Sequence, residues 1–169
     1  PLVLLDGCRY DLFREVTDTT DQLDFRISIG SATPEFLRRT FKNRTYRDTV
    51  YVTANPMYRT IELGETFHHV VDVWQDHWDE ELQTVRPEAM ARATTKAHRE
   101  FPNKRAIAHF MQPHYPFIGD LADQIGAHSG CEYSYRKATG GTASRDNPTV
   151  WELLQRGEVS KEGVWEAYG

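Results

Sequence analysis

The chain has 169 residues, and 20 Lys and Arg against 25 Asp and Glu give it a formal net charge of −5 at pH 7. This length suits one domain or part of a larger one, and no apolar run reaches the roughly 18–20 residues that a membrane-spanning helix needs. The mild acidity argues against a nucleic-acid binder, which usually carries a basic surface. The cysteines Cys8 and Cys131 form no CxxC motif and no disulfide framework, which fits a reducing compartment such as the cytoplasm.

Strand and helix patterns alternate along the chain. The apolar run 2–5 ends at the turn signal Asp6-Gly7 and indicates a buried strand of a parallel sheet. We predict further strands over 25–29, 48–53, 68–74 and 106–111, and helices over 10–16, 33–43, 87–100, 149–156 and from 160 onward. The segment 126–148 is rich in Gly and polar residues and is predicted to be a loop or lid. This order predicts a single α/β sandwich domain over 1–169 with a largely parallel sheet.

The first candidate site follows the first predicted strand. Asp6 stands at its end, with Arg9 and Asp11 close behind, where α/β folds place their functional groups. A carboxylate suits a divalent cation, and an arginine suits an anionic substrate. The alternative is that Asp6 only belongs to a turn and that Arg9 and Asp11 only pair at the surface.

The second candidate site precedes a predicted helix and carries two hydroxyl groups. Ser31 and Thr33 lie where this helix begins, with Thr33 predicted as its N-cap and Pro34 as its first helical residue. Free backbone N–H groups at such a position bind phosphate or sulfate and favour an alkoxide. Thr33 either only caps the helix or, beside a metal held by Asp6, acts as a nucleophile.

The third candidate site follows the predicted strand 106–111. His114 lies between two prolines on a rigid turn, which suits an anion donor, an acid or base, or a ligand as well as a plain turn residue. His109 lies inside the strand and is predicted to be a core residue. Asp76-His77 could pair as metal ligands, but the surrounding sequence favours the start of an amphipathic helix.

Four segments, in this order, resemble the sulfatase-like proteins of the alkaline phosphatase superfamily, in particular those of haloarchaea. They are VLLDGCRYD (3–11), GSATPEF (30–36), VYVTANP (50–56) and HFMQPHYP (109–116). The resemblance covers nearly the whole chain and implies a three-layer α/β/α sandwich that hydrolyses sulfate or phosphate esters. It further implies a divalent metal ion (Ca, Mg, Mn or Zn) and a small anionic ester substrate, free or linked to a glycan.

The resemblance also implies roles for single residues. Asp6 matches the first metal-binding acid, Thr33 or Ser31 matches the nucleophile region, and His114 matches the histidine that contacts the transferred anion. Arg9 follows the strand motif and is expected to assist in binding that anion. The three places that carry these residues each follow a predicted strand, where α/β folds place their functional groups.

The chain departs from the family pattern at two places. The usual sulfatase motif has Cys or Ser two residues before its proline, whereas this chain has Ala32, so we expect a Thr or Ser nucleophile rather than formylglycine. The family's later Asp-His-Gly metal motif does not follow His114, so we expect either a fragment of a longer protein or a member with an incomplete metal site. The alternative function is a non-catalytic domain that binds an anionic ligand or acts as a scaffold. A plain nucleotide binder is disfavoured because GxGxxG and P-loop motifs are absent.

Overall fold

The computed structural model describes residues 1–18, 22–126, 128–142, 145 and 147–169. The strands are Leu2–Leu5 (β1), Tyr46–Thr53 (β2), Phe67–Asp72 (β3), Trp78–Asp79 (β4), Thr84–Val85 (β5) and Arg105–Phe110 (β6). The helices are Tyr10–Val16 (α1), Thr33–Phe41 (α2), Met57–Thr60 (α3), Val73–Asp76 (α4), Pro87–Glu100 (α5), Asp120–Asp123 (α6), Glu132–Ala138 (α7), Val150–Arg156 (α8) and Lys161–Tyr168 (α9). No helix in this described part of the chain is long and apolar enough to cross a membrane.

Four strands form a parallel sheet in the order β1-β6-β2-β3, and β4 pairs with β5 in a separate antiparallel ribbon. His109 of β6 lies opposite both Leu4 of β1 and Thr53 of β2. Because these strands run in the same direction, the segments that follow them emerge at one edge of the sheet. The predicted α/β fold with a mostly parallel sheet is therefore confirmed. The strand predicted over 2–5 is present, but its predicted burial is wrong: among the described strands β1 is an edge strand that pairs only with β6, and Leu2 and Val3 are 57% and 51% exposed.

Helices cover both faces of the sheet. The alternation along β2 turns Val50 and Val52 toward one face, where they cluster with Met90 of α5, and it turns Tyr51 toward the other face, where it clusters with Leu37 of α2. Burying an aliphatic side chain of this kind stabilises the fold by about 1.5–3 kcal/mol. With one core on each side of the sheet, the chain is consistent with a three-layer α/β/α sandwich.

The predicted strand over 25–29 is wrong. This segment has no regular secondary structure, and its alternating apolar residues are exposed, with Phe25 at 63% and Ile27 at 90%. A strand needs a neighbour to pair its backbone groups, and no described strand pairs with this segment. The alternation of apolar and polar residues was therefore not sufficient to predict a strand here.

Two other predictions need correction at their edges. The strand predicted over 68–74 ends at Asp72, and the short helix α4 takes its last two residues. The segment predicted as a loop or lid over 126–148 contains helix α7, and its positions 127, 143, 144 and 146 lie outside the described residues. Tyr135 of α7 stacks on Trp78 with ring centroids 4.2 Å apart, so a tertiary contact supports this helix in a stretch of polar sequence.

The last two predicted helices are confirmed and have clear start signals. Thr149 caps α8 through a reciprocal capping box with Glu152, and Ser160 caps α9 by accepting a hydrogen bond from the Gly163 N–H. Substituting such a cap by alanine typically lowers the free energy of unfolding by about 1 kcal/mol. The caps determine where α8 and α9 begin, and residues of both helices line the cleft described below.

Candidate active site

Asp6 is the centre of the candidate site. Its backbone N–H donates to the Phe110 carbonyl at 3.1 Å, which extends the pairing of β1 with β6 by one residue. Its side chain is 10% exposed and accepts hydrogen bonds from Thr33 Oγ1, at 2.9 and 3.0 Å to its two oxygens, and from Asn55 Nδ2, at 2.7 Å. Thr33 begins α2 and Asn55 follows β2, so two separate elements place donors on one carboxylate.

Thr33 does not have the N-cap role that the sequence predicts for it. Ala32 is the N-cap of α2, without a side-chain capping bond, so Thr33 is the first helical residue and Pro34 the second. A capping hydroxyl accepts from the N–H two or three residues on, which for Thr33 is that of Glu35 or Phe36, whereas the Phe36 N–H donates to the Ala32 carbonyl at 2.9 Å. The Thr33 hydroxyl instead donates to Asp6, because a buried carboxylate is a strong acceptor.

Ser31 hydrogen-bonds to Glu35 rather than to Asp6. Its hydroxyl and its backbone N–H both donate to Oε2 of Glu35, at 2.9 and 2.8 Å. These bonds, the backbone one first, and the nearby Arg39 lower the pKa of Glu35. Of the two hydroxyl groups that the sequence offers as nucleophiles, Thr33 is the one in contact with the central carboxylate.

His109 is a buried core residue, as predicted, and it also borders the site. Its Nε2 lies 3.7 Å from Oδ2 of Asp6, an ion-pair distance, and its Nδ1 lies 2.5 Å from the hydroxyl of Tyr51. Complete burial raises the pKa of Tyr51 and keeps that hydroxyl protonated. A carboxylate only accepts, so the Nε2 that faces Asp6 carries the imidazole proton, and Nδ1 of the neutral ring then accepts from the Tyr51 hydroxyl.

The surroundings of Asp6 favour its charged form. Burial alone would raise the pKa of Asp6, whereas its contact with His109, the charge of His114 and the Thr33 hydrogen bond lower it. The lowering influences prevail, so the pKa of Asp6 lies below its usual value. At neutral pH this buried side chain is therefore a carboxylate that is held by donors on several sides.

His114 lies beside Asp6 on the turn after β6. Its backbone N–H donates to the carbonyls of Asp6, at 2.9 Å, and of Met111, at 3.0 Å. Its Nδ1 lies 2.5 Å from the Tyr115 carbonyl, and a carbonyl only accepts, so Nδ1 carries a proton. Nε2 is then the nitrogen of His114 that can meet a ligand, either as an acceptor or, in the imidazolium form, as a donor.

Arg9 lies at the rim of the site and is exposed. Its Nε donates to Oδ1 of Asp11 at 2.9 Å, and its Nη2 lies 2.5 Å from Oδ2. Its guanidinium also lies 5.5 Å from the ring centroid of Trp165. Because exposed ion pairs of this kind contribute little stability, Arg9 can exchange Asp11 for an anionic ligand at small cost.

A cleft of about 1440 Å³ opens above these groups, between the ends of the strands and helices α8 and α9. All the site residues predicted from the sequence line this cleft; they are Asp6, Arg9, Ser31, Thr33 and His114. Asp76 and His77, the alternative metal pair, do not line it. The structure therefore brings these candidate residues together around one cleft.

The donors around Asp6 fit a metal ion in type but not in number. Carboxylate and hydroxyl oxygens, here from Asp6 and Thr33, are the ligands that hard divalent cations prefer. Among the residues that the structure describes, no group of three or more His, Cys, Asp or Glu side chains is placed to hold a metal. Two oxygen donors are fewer than the four to eight that zinc, magnesium or calcium take, so these residues would supply part of a coordination shell.

The sequence did not predict the contributions of Asn55, Tyr51 and His109 to this site. Asn55 follows a strand, as Asp6 and His114 do, and this position was a usable signal. Tyr51 and His109 carry no local signal, because their contact depends on the register between β2 and β6. No family model, curated protein or solved structure matches this chain, so the case for its function depends on the geometry of the cleft.

Proposed function

We propose that the chain is a sulfatase-like hydrolase of sulfate or phosphate esters in which Thr33 is the nucleophile. The observation that carries this proposal is the contact of the Thr33 hydroxyl with both carboxylate oxygens of Asp6, at 2.9 and 3.0 Å, inside a large cleft. A hydroxyl that only caps a helix has no need of a buried, ionised carboxylate. A nucleophile requires such a partner, which orients the oxygen and accepts its proton.

The reaction follows from the groups in contact. Oγ1 of Thr33 attacks sulfur or phosphorus in line, its proton passes to Asp6, and the bond to the ester oxygen breaks. The leaving oxygen departs as an anion and takes a proton from solvent to become the alcohol. Charge on the transferred group is stabilised by the backbone N–H groups where α2 begins and by the Nε2–H of His114 in its imidazolium form. Water then attacks the sulfur or phosphorus bound to Thr33, which releases the inorganic anion and restores the hydroxyl.

An anionic substrate is compatible with the net charge of −5. The Arg9 guanidinium lines the cleft at its exposed rim, and His114 adds positive charge when it is protonated. Local potential in a cleft, rather than net charge, determines the attraction of a small ligand. We therefore propose a small anionic ester, free or linked to a glycan, as the substrate.

We also propose that a divalent cation, one of Ca, Mg, Mn or Zn, binds oxygens of Asp6 and Thr33, with its other positions filled by water, substrate or ligands outside the described residues. When bound, such an ion lowers the pKa of a coordinated hydroxyl and stabilises anionic charge. Titration calorimetry with each chloride salt tests this binding directly. Asp6→Asn is expected to abolish the heat of binding, and Ser31→Ala is expected to preserve it.

The activity is tested with aryl sulfates and aryl phosphates in the presence of each cation. Thr33→Ala and Asp6→Asn are expected to lower turnover at least a hundredfold, since loss of a nucleophile or of its partner removes the covalent route. Ser31→Ala is the matched control, because it also removes a cleft hydroxyl. Wild-type protein that binds the anions without turning over any ester would favour a non-catalytic binding domain instead.

A further inference from the structure

A row of aromatic rings leads from His114 along the wall of the cleft. The His114 and Tyr115 rings stack with centroids 4.2 Å apart and an interplanar angle of 29°. The Tyr115 and Trp151 rings meet nearly at right angles, with centroids 6.4 Å apart. All three side chains line the same cleft as Asp6 and Thr33, so the row is continuous with the candidate site.

Trp151 is open to solvent although its backbone is fixed. The residues on either side of it in α8 anchor the helix, since Val150 is buried and Glu152 completes the capping box with Thr149. The Trp151 residue itself is 56% exposed. An indole that offers much apolar surface inside a cleft is a common feature of ligand-binding sites.

The second tryptophan that lines the cleft has a different environment. Trp165 of α9 is 38% exposed, but the guanidinium of Arg9 lies over its ring at 5.5 Å. A cation over an aromatic ring already uses one face of it. Of these two tryptophans, Trp151 therefore offers the larger uncovered surface to a ligand.

We propose that Tyr115 and Trp151 form a subsite for the leaving group of the ester, and that this leaving group contains a ring with an apolar face. This inference rests on the proposed function, because the anionic end is fixed at Thr33 and His114. A leaving group that points along the wall then meets Tyr115 first and Trp151 next. The matching chemistry is an aryl or pyranose ring joined through an oxygen to sulfate or phosphate.

Equilibrium binding tests the subsite without requiring turnover. The probes are phenyl sulfate, glucose 6-sulfate and methyl sulfate, titrated into the full chain by ligand-observed NMR. We expect at least one ring-bearing ester to bind more tightly than methyl sulfate, and Trp151→Ala to lower that preference five- to tenfold. Trp151→Phe should keep most of it, because an aromatic face remains.

Phe25→Ala is the matched control, because Phe25 is an exposed aromatic residue that does not line the cleft. Loss of the preference for phenyl sulfate alone identifies an aryl leaving group, and loss for glucose 6-sulfate alone identifies a sugar; either result supports the subsite. Equal binding of all three esters, or a preference that survives in a folded Trp151→Ala protein, would overturn it. A ring preference that depends on Trp151 without any hydrolysis would refute the proposed function and leave the subsite standing.

Discussion

The hydroxyl of Tyr51 lies 2.5 Å from Nδ1 of His109, while the opposite nitrogen of the same ring lies 3.7 Å from a carboxylate oxygen of Asp6. A buried tyrosine on β2 thus determines which imidazole nitrogen faces the centre of the candidate site. His109 of this pair lies beside the carboxylate, which also accepts hydrogen bonds from Thr33 and Asn55.

Replacing Tyr51 by Phe removes the donor to His109 and leaves a buried nitrogen without its partner. We expect the free energy of unfolding to fall by about 1–3 kcal/mol, as measured by urea unfolding. We also expect ¹⁵N NMR to show the His109 ring change from a single tautomer, with the proton on Nε2, to a mixture. Imidazole nitrogen shifts identical to those of the wild type would contradict the proposed orientation.

Replacing Asn55 by Asp puts a second carboxylate where an amide now donates to Asp6 at 2.7 Å. Two carboxylates at this separation cannot both ionise easily, so we expect Asn55→Asp to be less stable than the wild type at pH 7. The loss should shrink as the pH falls and one of the two carboxylates takes up a proton. Asn55→Ala serves as the control, since it removes the amide without adding charge and should lack this pH dependence.

The pKa of Asp6 lies below its usual value in the folded chain, with burial opposing the shift and His109, His114 and Thr33 producing it. A carboxyl group with a lowered pKa stabilises the fold fully at pH values above its unfolded pKa, which is about 3.9. That contribution is lost as the pH falls through the folded pKa. In metal-free buffer, we therefore expect the stability difference between the wild type and Asp6→Asn to be constant near neutrality and to change below about pH 4. A difference that stays constant down to pH 2 would argue against the lowered pKa.

Gly7 has a φ of +72°, and a Cβ there would lie 3.5 Å from Cβ of His114. A left-handed backbone disfavours any residue with a side chain, so we expect Gly7→Ala to lower the free energy of unfolding by about 1 kcal/mol. Gly64→Ala is the control, because a Cβ there would meet nothing within 4 Å. Thermal unfolding of both variants measures the difference, and equal melting temperatures would contradict this role for Gly7.

The sequence predicts the parts of this molecule whose signals are local. Helix α5 begins at a proline and has a long apolar face, and its predicted range 87–100 agrees with the structure. Asp6 and His114 could be placed because each follows a strand of the parallel sheet, and parallel strands bring such positions together. Thr33 could be placed because Pro34 marks the start of its helix. The strand predicted over 25–29 is wrong, because an alternating segment forms a strand only if another strand is available to pair with it.

The remaining features depend on contacts between distant residues. Thr33 has the residue type and position expected of an N-cap, but its hydroxyl donates to Asp6, which lies 27 positions earlier. Tyr51 and His109 are 58 positions apart, and only the register of β2 against β6 brings their side chains together. A single sequence contains no direct signal for such a pair.

The most direct test of the central claim is to identify the residue that carries the transferred group. The wild-type chain, loaded with a divalent cation and turning over an aryl sulfate or aryl phosphate, is quenched in acid and digested, and its peptides are mapped by mass spectrometry. The proposed mechanism predicts a sulfo or phospho group on Thr33, lost in Thr33→Ala and retained in Ser31→Ala. A modified Ser31, or turnover that persists in Thr33→Ala, would contradict it.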